Sequence, residues 1–161
     1  MKEAADFFAK FMDGIVSGLN TCLLAEIVSY DAEAMTADVE TLPDRDLIPS
    51  VPIAAQRAGG FVVRVPYAKG DIVMVVFAQR DIEAIMHGEG DATERKLALD
   101  DALIVGGVSP FTKPLPAANS SDLVIGLEDM TAKLVLTSAG MVQIVAPGGI
   151  TLQGSTRTES W

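Results

Sequence analysis

The sequence predicts a mainly β protein with one helix at its N-terminus, and three observations carry that reading. Apolar residues recur at helical spacing in the first twenty positions. Beyond them they alternate, or run in short blocks between Gly, Pro and Asp turn signals. Towards the C-terminus a short alternating block returns every eight residues. The 161-residue chain is 49% apolar yet carries a formal charge of −10, and its mean hydropathy is +0.33. That combination predicts apolar surface hidden by assembly as well as by folding.

Residues 1–20 form the amphipathic helix. Phe8, Phe11, Met12, Ile15, Val16 and Leu19 recur every three or four positions, and Asp6, Lys10, Asp13 and Ser17 fall on other faces. Gly14 and Gly18 weaken it, so it needs a packing partner, either its own domain or a neighbouring subunit. Strands are predicted over Leu23–Tyr30 and Met35–Leu42, with a turn at residues 31–34. A third short run covers Ser50–Ala55. Gly59 and Gly60 turn the chain into Phe61–Val65, where apolar positions alternate. Lys69-Gly70-Asp71 is a tight-turn signal before Ile72–Ala78, which is apolar at every position and so predicts cover on both faces. Asp81 can cap a short helix whose stripe is Ile82, Ile85 and Met86, with His87 in its last turn and Gly88 as its stop. The last strand lies within Leu97–Val105, a stretch that could equally start as a helical turn. This order is that of a small five-stranded barrel of the OB type over residues 21–106. Its expected core includes Ile27, Phe61, Val63, Val65, Val73, Val75 and Phe77. Residues 107–122 are rich in Pro, Gly, Ser and Asn and read as a linker.

Residues 123–161 hold the repeat. Leu134 and Leu136 are followed eight residues later by Val142 and Ile144, and eight later again by Ile150 and Leu152, with Gly140 and Gly148 at turns of the same period. A unit this small cannot bury its apolar side alone and must stack on copies of itself. If three chains wind together, each rung becomes a closed triangle of strands, the six side chains of each chain meet on the axis, and no lateral edge stays open. The expected product is a short trimeric triple-stranded β-helix. The same period also fits three ordinary antiparallel strands.

The acidic balance argues against a nucleic-acid binder, which needs a basic face. An OB module that stacks single-stranded bases would have to use Phe61, Tyr67 and Phe77, with Arg57, Arg64, Lys69 and Arg80 near them. The one cysteine, Cys22, excludes an intrachain disulfide and is expected to be a small buried hydrophobe. Charges interrupt the N-terminal apolar residues, unlike a signal peptide, which predicts a protein made in the cytosol. Ile72–Ala78 is too short to span a bilayer. There is no phosphate-binding loop, no Cys-x-x-Cys and no His-Glu-x-x-His. His87, the sole histidine, reads as a helix C-terminal residue, and the pairs Asp100–Asp101 and Glu128–Asp129 as solvated loop acids. No catalytic residue, cofactor or metal ligand is expected.

Several stretches resemble the short membrane-puncturing spike proteins of contractile-tailed phages. They are Leu19-Asn20-Thr21 leading into residues 26–31, Val51-Pro52-Ile53 through Gly59-Gly60-Phe61, and Pro66 through Lys69-Gly70-Asp71 to Phe77. Residues 99–102 and Val124-Ile125-Gly126 join them. The resemblance implies a homotrimer with an OB domain and a triple-stranded β-helix, placed at the tail baseplate tip of a virion. It implies a baseplate hub protein above, a needle tip below, and mechanical puncture of a target outer membrane after sheath contraction. Several such proteins end in a His-x-His pair that binds iron on the axis. This chain lacks that pair, which implies a separate tip protein or a short blunt shaft.

Overall fold

In the computed structural model, which describes residues 2–17, 21–91 and 93–154, the chain divides into two units, residues 1–108 and 109–161. It is mainly β with an N-terminal helix, and each unit has its own sheet. The first unit contains α1 (Lys2–Ser17), β1 (Cys22–Asp31), β2 (Thr36–Thr41), β3 (Leu47–Pro52), β4 (Gln56–Ala58), β5 (Phe61–Val63), β6 (Ile72–Phe77), α2 (Glu83–His87) and β7 (Ala102–Gly107). The second contains β8 (Leu123–Gly126), β9 (Lys133–Leu136) and β10 (Val142–Val145).

The main sheet runs β3-β2-β1-β6-β7 with antiparallel neighbours. Alternate residues of each strand turn inward, so Ala25, Ile27, Val39, Val51, Val73, Val75, Phe77 and Ile104 form one core. The two edges meet where Ile53 bridges Ile104 and the Ala54 N–H donates to the Ile104 carbonyl at 2.8 Å. The sheet therefore curls over its core without a ladder that closes it, and the expected closed barrel is not formed. Asp38 sits where the registers of β1 with β2 and of β2 with β3 both shift. It accepts the Ser50 N–H and the Ser29 hydroxyl, each at 2.8 Å, and these bonds hold its carboxyl below the ordinary range.

Further expectations need correction in this unit. Phe61, Val63 and Val65 are not core residues; Phe61 is 82% exposed and the two valines more than half exposed. Gly59 and Gly60, both at positive φ, close a two-residue turn that pairs β5 with β4 alone, as a hairpin separate from the main sheet. The alternation in Phe61–Val65 marked a strand without saying which sheet it joins. Cys22 is exposed, because it faces away from the core beside its partner Val76. β6 is covered on its inner face, but Met74 on the outer face is 38% exposed. Finally, α2 buries none of its residues, and Ile85 and Met86 are exposed.

The excursion from β6 to β7 is instead fixed by charge. Arg95 donates to Asp101 through Nε and Nη2 at 3.1 and 3.0 Å, to Asp81 at 3.0 Å and to Glu83 at 3.2 Å. Asp101 is fully buried and Asp81 nearly so. Asp101 also accepts the Ile82 N–H, and Asp81 accepts the N–H groups of Glu83 and Thr93. The bonds from Thr93 and the Glu83 N–H, with Arg95 nearby, lower the Asp81 carboxyl to about 2, and the two aspartates raise the Arg95 guanidinium. Asp101 is therefore a buried ionic anchor and not a solvated loop acid. It ends the single 3-10 turn Leu99–Asp101 that precedes β7.

Candidate functional site

The second unit holds the candidate site, which is a surface. β8, β9 and β10 form a three-stranded antiparallel sheet with β9 in the middle. Its turns are built locally. Asp129 accepts both the N–H and the hydroxyl of Thr131 in the first turn, and these bonds hold its carboxyl below the ordinary range. In the second turn Gly140 stands at φ +84° and the Thr137 hydroxyl accepts the Met141 N–H. Gly126 is required by close approach: a Cβ there would lie 2.6 Å from the Ala132 carbonyl oxygen and 2.7 Å from Lys133 Cβ.

Residues paired directly across a ladder share a face. Leu134 is opposite Ile144 on one side and Ile125 on the other; Leu136 is opposite Val142 and Leu123. These six aliphatic side chains therefore form one continuous face, and each is 40–63% exposed. The reverse face differs sharply. Val135 there is fully buried, and Lys133 donates to Asn119 at 2.7 Å. Asn119 donates in turn to Asp122, which also accepts the Ser138 N–H, and these bonds lower the Asp122 carboxyl. The segment leading into β8 is thereby tied to the Lys133 side, and the Leu134 side is left bare.

Four of the six expected interior residues, Leu134, Leu136, Val142 and Ile144, come together here. In the single chain their arrangement is that of ordinary antiparallel strands, the other geometry that the eight-residue period fits. The strands pair antiparallel within one chain, so Leu134 meets Ile144 and not Val142. Ile150 and Leu152 are exposed and lie outside any strand, so no third rung follows β10 among the described residues. The sheet takes β8 as its third strand instead. Leu123 and Ile125 were missing from the expected set, although their own alternation with Asp122, Val124 and Gly126 carries the same signal.

Among the described residues, the other groups singled out in the sequence lie apart from one another. The three aromatics of a base-stacking platform are dispersed: Phe77 is buried, Tyr67 packs edge-on against Tyr30 with ring centroids 6.0 Å apart, and Phe61 stands on the exposed hairpin. A cleft of about 290 Å3 between β3 and α2 is lined by Ile48, Val51, Met86, His87 and Arg95, but Arg95 is engaged by three carboxylates. Among the described residues no three His, Cys, Asp or Glu side chains gather as metal ligands, and no helix is long and apolar enough to cross a membrane.

No curated protein matches the chain. A family model does, the N-terminal domain of the phage protein Gp138, over residues 23–107. The matched region begins in β1 and ends with β7, so it takes in the whole main sheet and its core. It leaves the bare β8–β10 face to the part of the chain outside the match. With more than half of its length matched, this chain belongs to the phage Gp138 N-terminal domain family.

Proposed function

We propose that the protein is a structural component of a contractile phage-type tail baseplate, a homotrimeric central spike or hub that acts mechanically and not as an enzyme. The first unit serves as an OB-type platform against the baseplate hub protein. The bare faces of three β8–β10 sheets pack around a common axis as the start of a short β-helical shaft. Sheath contraction then drives the assembly toward the target's outer membrane, at the tail tip of the virion. No cofactor, metal or nucleic acid enters this reading.

The observation that carries it is the asymmetry of the second sheet: six aliphatic side chains exposed on one face against a fully buried Val135 on the other. A sheet three strands wide spans roughly 10 Å and cannot curl over its own face. Burying such a face is worth about 2 kcal/mol per side chain, and only association can provide it. The family match supports the phage setting.

The test is the solution mass, by light scattering during size exclusion. A trimer near three times the 17.0 kDa chain is expected. A clean monomer over the micromolar range would overturn the reading. One observation favours the variant in which the trimer is an adaptor carrying a separate tip protein: among the described residues, strand structure stops at Val145, and Ile150 and Leu152 add no rung. The position of residues 146–154 in an assembled particle, seen by electron microscopy, separates adaptor from spike.

A further inference from the structure

The first unit has two more apolar surfaces whose side chains are exposed among the described residues. One is on α1, where Phe7, Phe8, Phe11 and Met12 fall on one side of the helix and each is more than half exposed. Phe7 stacks on Phe11, with centroids 6.2 Å apart and planes at 11°, so the aromatics form a ridge along the helix. The other is the outer face of the main sheet. Register places Leu24 beside Met74, Cys22 beside Val76, and Val76 beside Leu103, so apolar side chains run across β1, β6 and β7. Leu24 and Met74 at its centre are 41% and 38% exposed. Both surfaces belong to the first unit, yet neither shields the other in the chain as it stands.

We propose that the α1 ridge of one copy lies on the outer β1–β6–β7 face of a neighbouring copy. The proposal rests on the trimer reading above and names a second contact within that trimer. Two arguments select a second copy over a foreign partner. The first is pairing: a foreign partner on the sheet face would leave three phenylalanines of α1 in water, whereas a copy brings one ridge and one face to every contact. Ridge and face are different surfaces, so the contact is head-to-tail, and such a contact closes a ring in which every copy is covered on both. The second is area. Ridge and face together would bury roughly 1,000 Å2, near the lower limit for an independent interface. A contact of that size is weak alone and effective where another interface already holds the copies together.

Cys22 makes the contact testable, because it is the only cysteine, is exposed, and sits on the face in question. In the full chain, Met12→Cys and separately Phe8→Cys place a thiol on the ridge, and Asp6→Cys places one on the opposite side of the helix. Each variant is treated with a short bis-maleimide and resolved on a denaturing gel, with its solution mass measured beforehand. The expected result is covalent dimers and trimers for Met12→Cys and Phe8→Cys, at least tenfold above both Asp6→Cys and the parent chain. Trimers in solution without that excess would overturn the proposal and leave the trimer reading intact; a partner absent from the purified sample would give this same result. Thiols consumed within a single-chain band would overturn it in favour of α1 folding onto its own sheet. A monomer before cross-linking would overturn the trimer reading as well.

Discussion

The five-stranded sheet of the first unit and the three-stranded sheet of the second both carry an apolar face, but only the first curls over it. Of the thirteen buried hydrophobic residues among those described, twelve lie in the first unit and one, Val135, in the second. The difference follows from strand number and length. Five strands of six to ten residues twist far enough for Ile53 to reach Ile104 and for the inner face to meet itself. Three strands of four residues cannot, so Leu134 and its neighbours stay exposed. An apolar sheet face thus specifies a core in one unit and, on the function proposed above, an assembly surface in the other.

The largest expected effect breaks the second surface and spares the first. Leu134→Asp with Ile144→Asp puts two carboxylates at one cross-strand pair in the middle of the bare face. Burying an unpaired carboxylate costs several kcal/mol, so trimer affinity should fall by more than about a thousandfold. Light scattering should then report the 17.0 kDa chain, while circular dichroism still shows the main sheet. A trimer that survives both substitutions would mean that this face is not where the copies meet.

The next effect runs the other way. Arg95→Ala leaves Asp101 and Asp81 buried without their cation, and the excursion between β6 and β7 loses its anchor. The melting midpoint of the first unit is expected to fall by on the order of 10 °C, with Arg95→Lys recovering part of it, since an ammonium cannot bridge two carboxylates as the planar guanidinium does. An unchanged midpoint would show that the ion cluster is not holding the β6–β7 excursion. The cluster also sets a pH dependence. The Asp81 carboxyl is lowered from 3.8 to about 2, so its contribution to stability is complete above 3.8 and is lost as the pH falls through about 2. The midpoint should decline across that window, and Asp81→Asn should flatten the decline. Asp38 is lowered too and acts with the same sign. An equal slope in the Asn variant would assign the acid sensitivity to other carboxylates.

These contrasts also show what was legible in the sequence. β1, β2 and β6 could be placed because each is a run of strand-forming residues bounded by turn chemistry, whereas β7 was bracketed only within Leu97–Val105. The core positions Ile27, Val73, Val75 and Phe77 follow from alternation within those blocks. The Phe61 hairpin was misassigned because alternation reports that a strand has two faces, while partner choice was decided by the Gly59-Gly60 turn. The Asp101 anchor was missed because its partners lie six and nineteen positions away, at the Arg95 guanidinium and the Ile82 N–H, and neither spacing matches a local motif. In the second unit the apolar set was visible but its geometry was not. A period of eight suggests stacking of like on like, whereas a hairpin reverses the order and sets Leu134 against Ile144.

The smallest expected effect tests where that surface ends. Ile150 and Leu152 continue the eight-residue period in sequence, yet they are exposed and belong to no strand. If the surface is the β8–β10 face alone, Ile150→Ser with Leu152→Ser removes contacts that the assembly does not make. Substitutions away from a packed interface shift stability by within about 0.5 kcal/mol, so the trimer should keep its mass and its dilution midpoint within about twofold. Dissociation comparable to that of the Leu134–Ile144 pair would instead mean that association orders residues 149–152 into a further rung. The period would then describe the assembled shaft more faithfully than the single chain does.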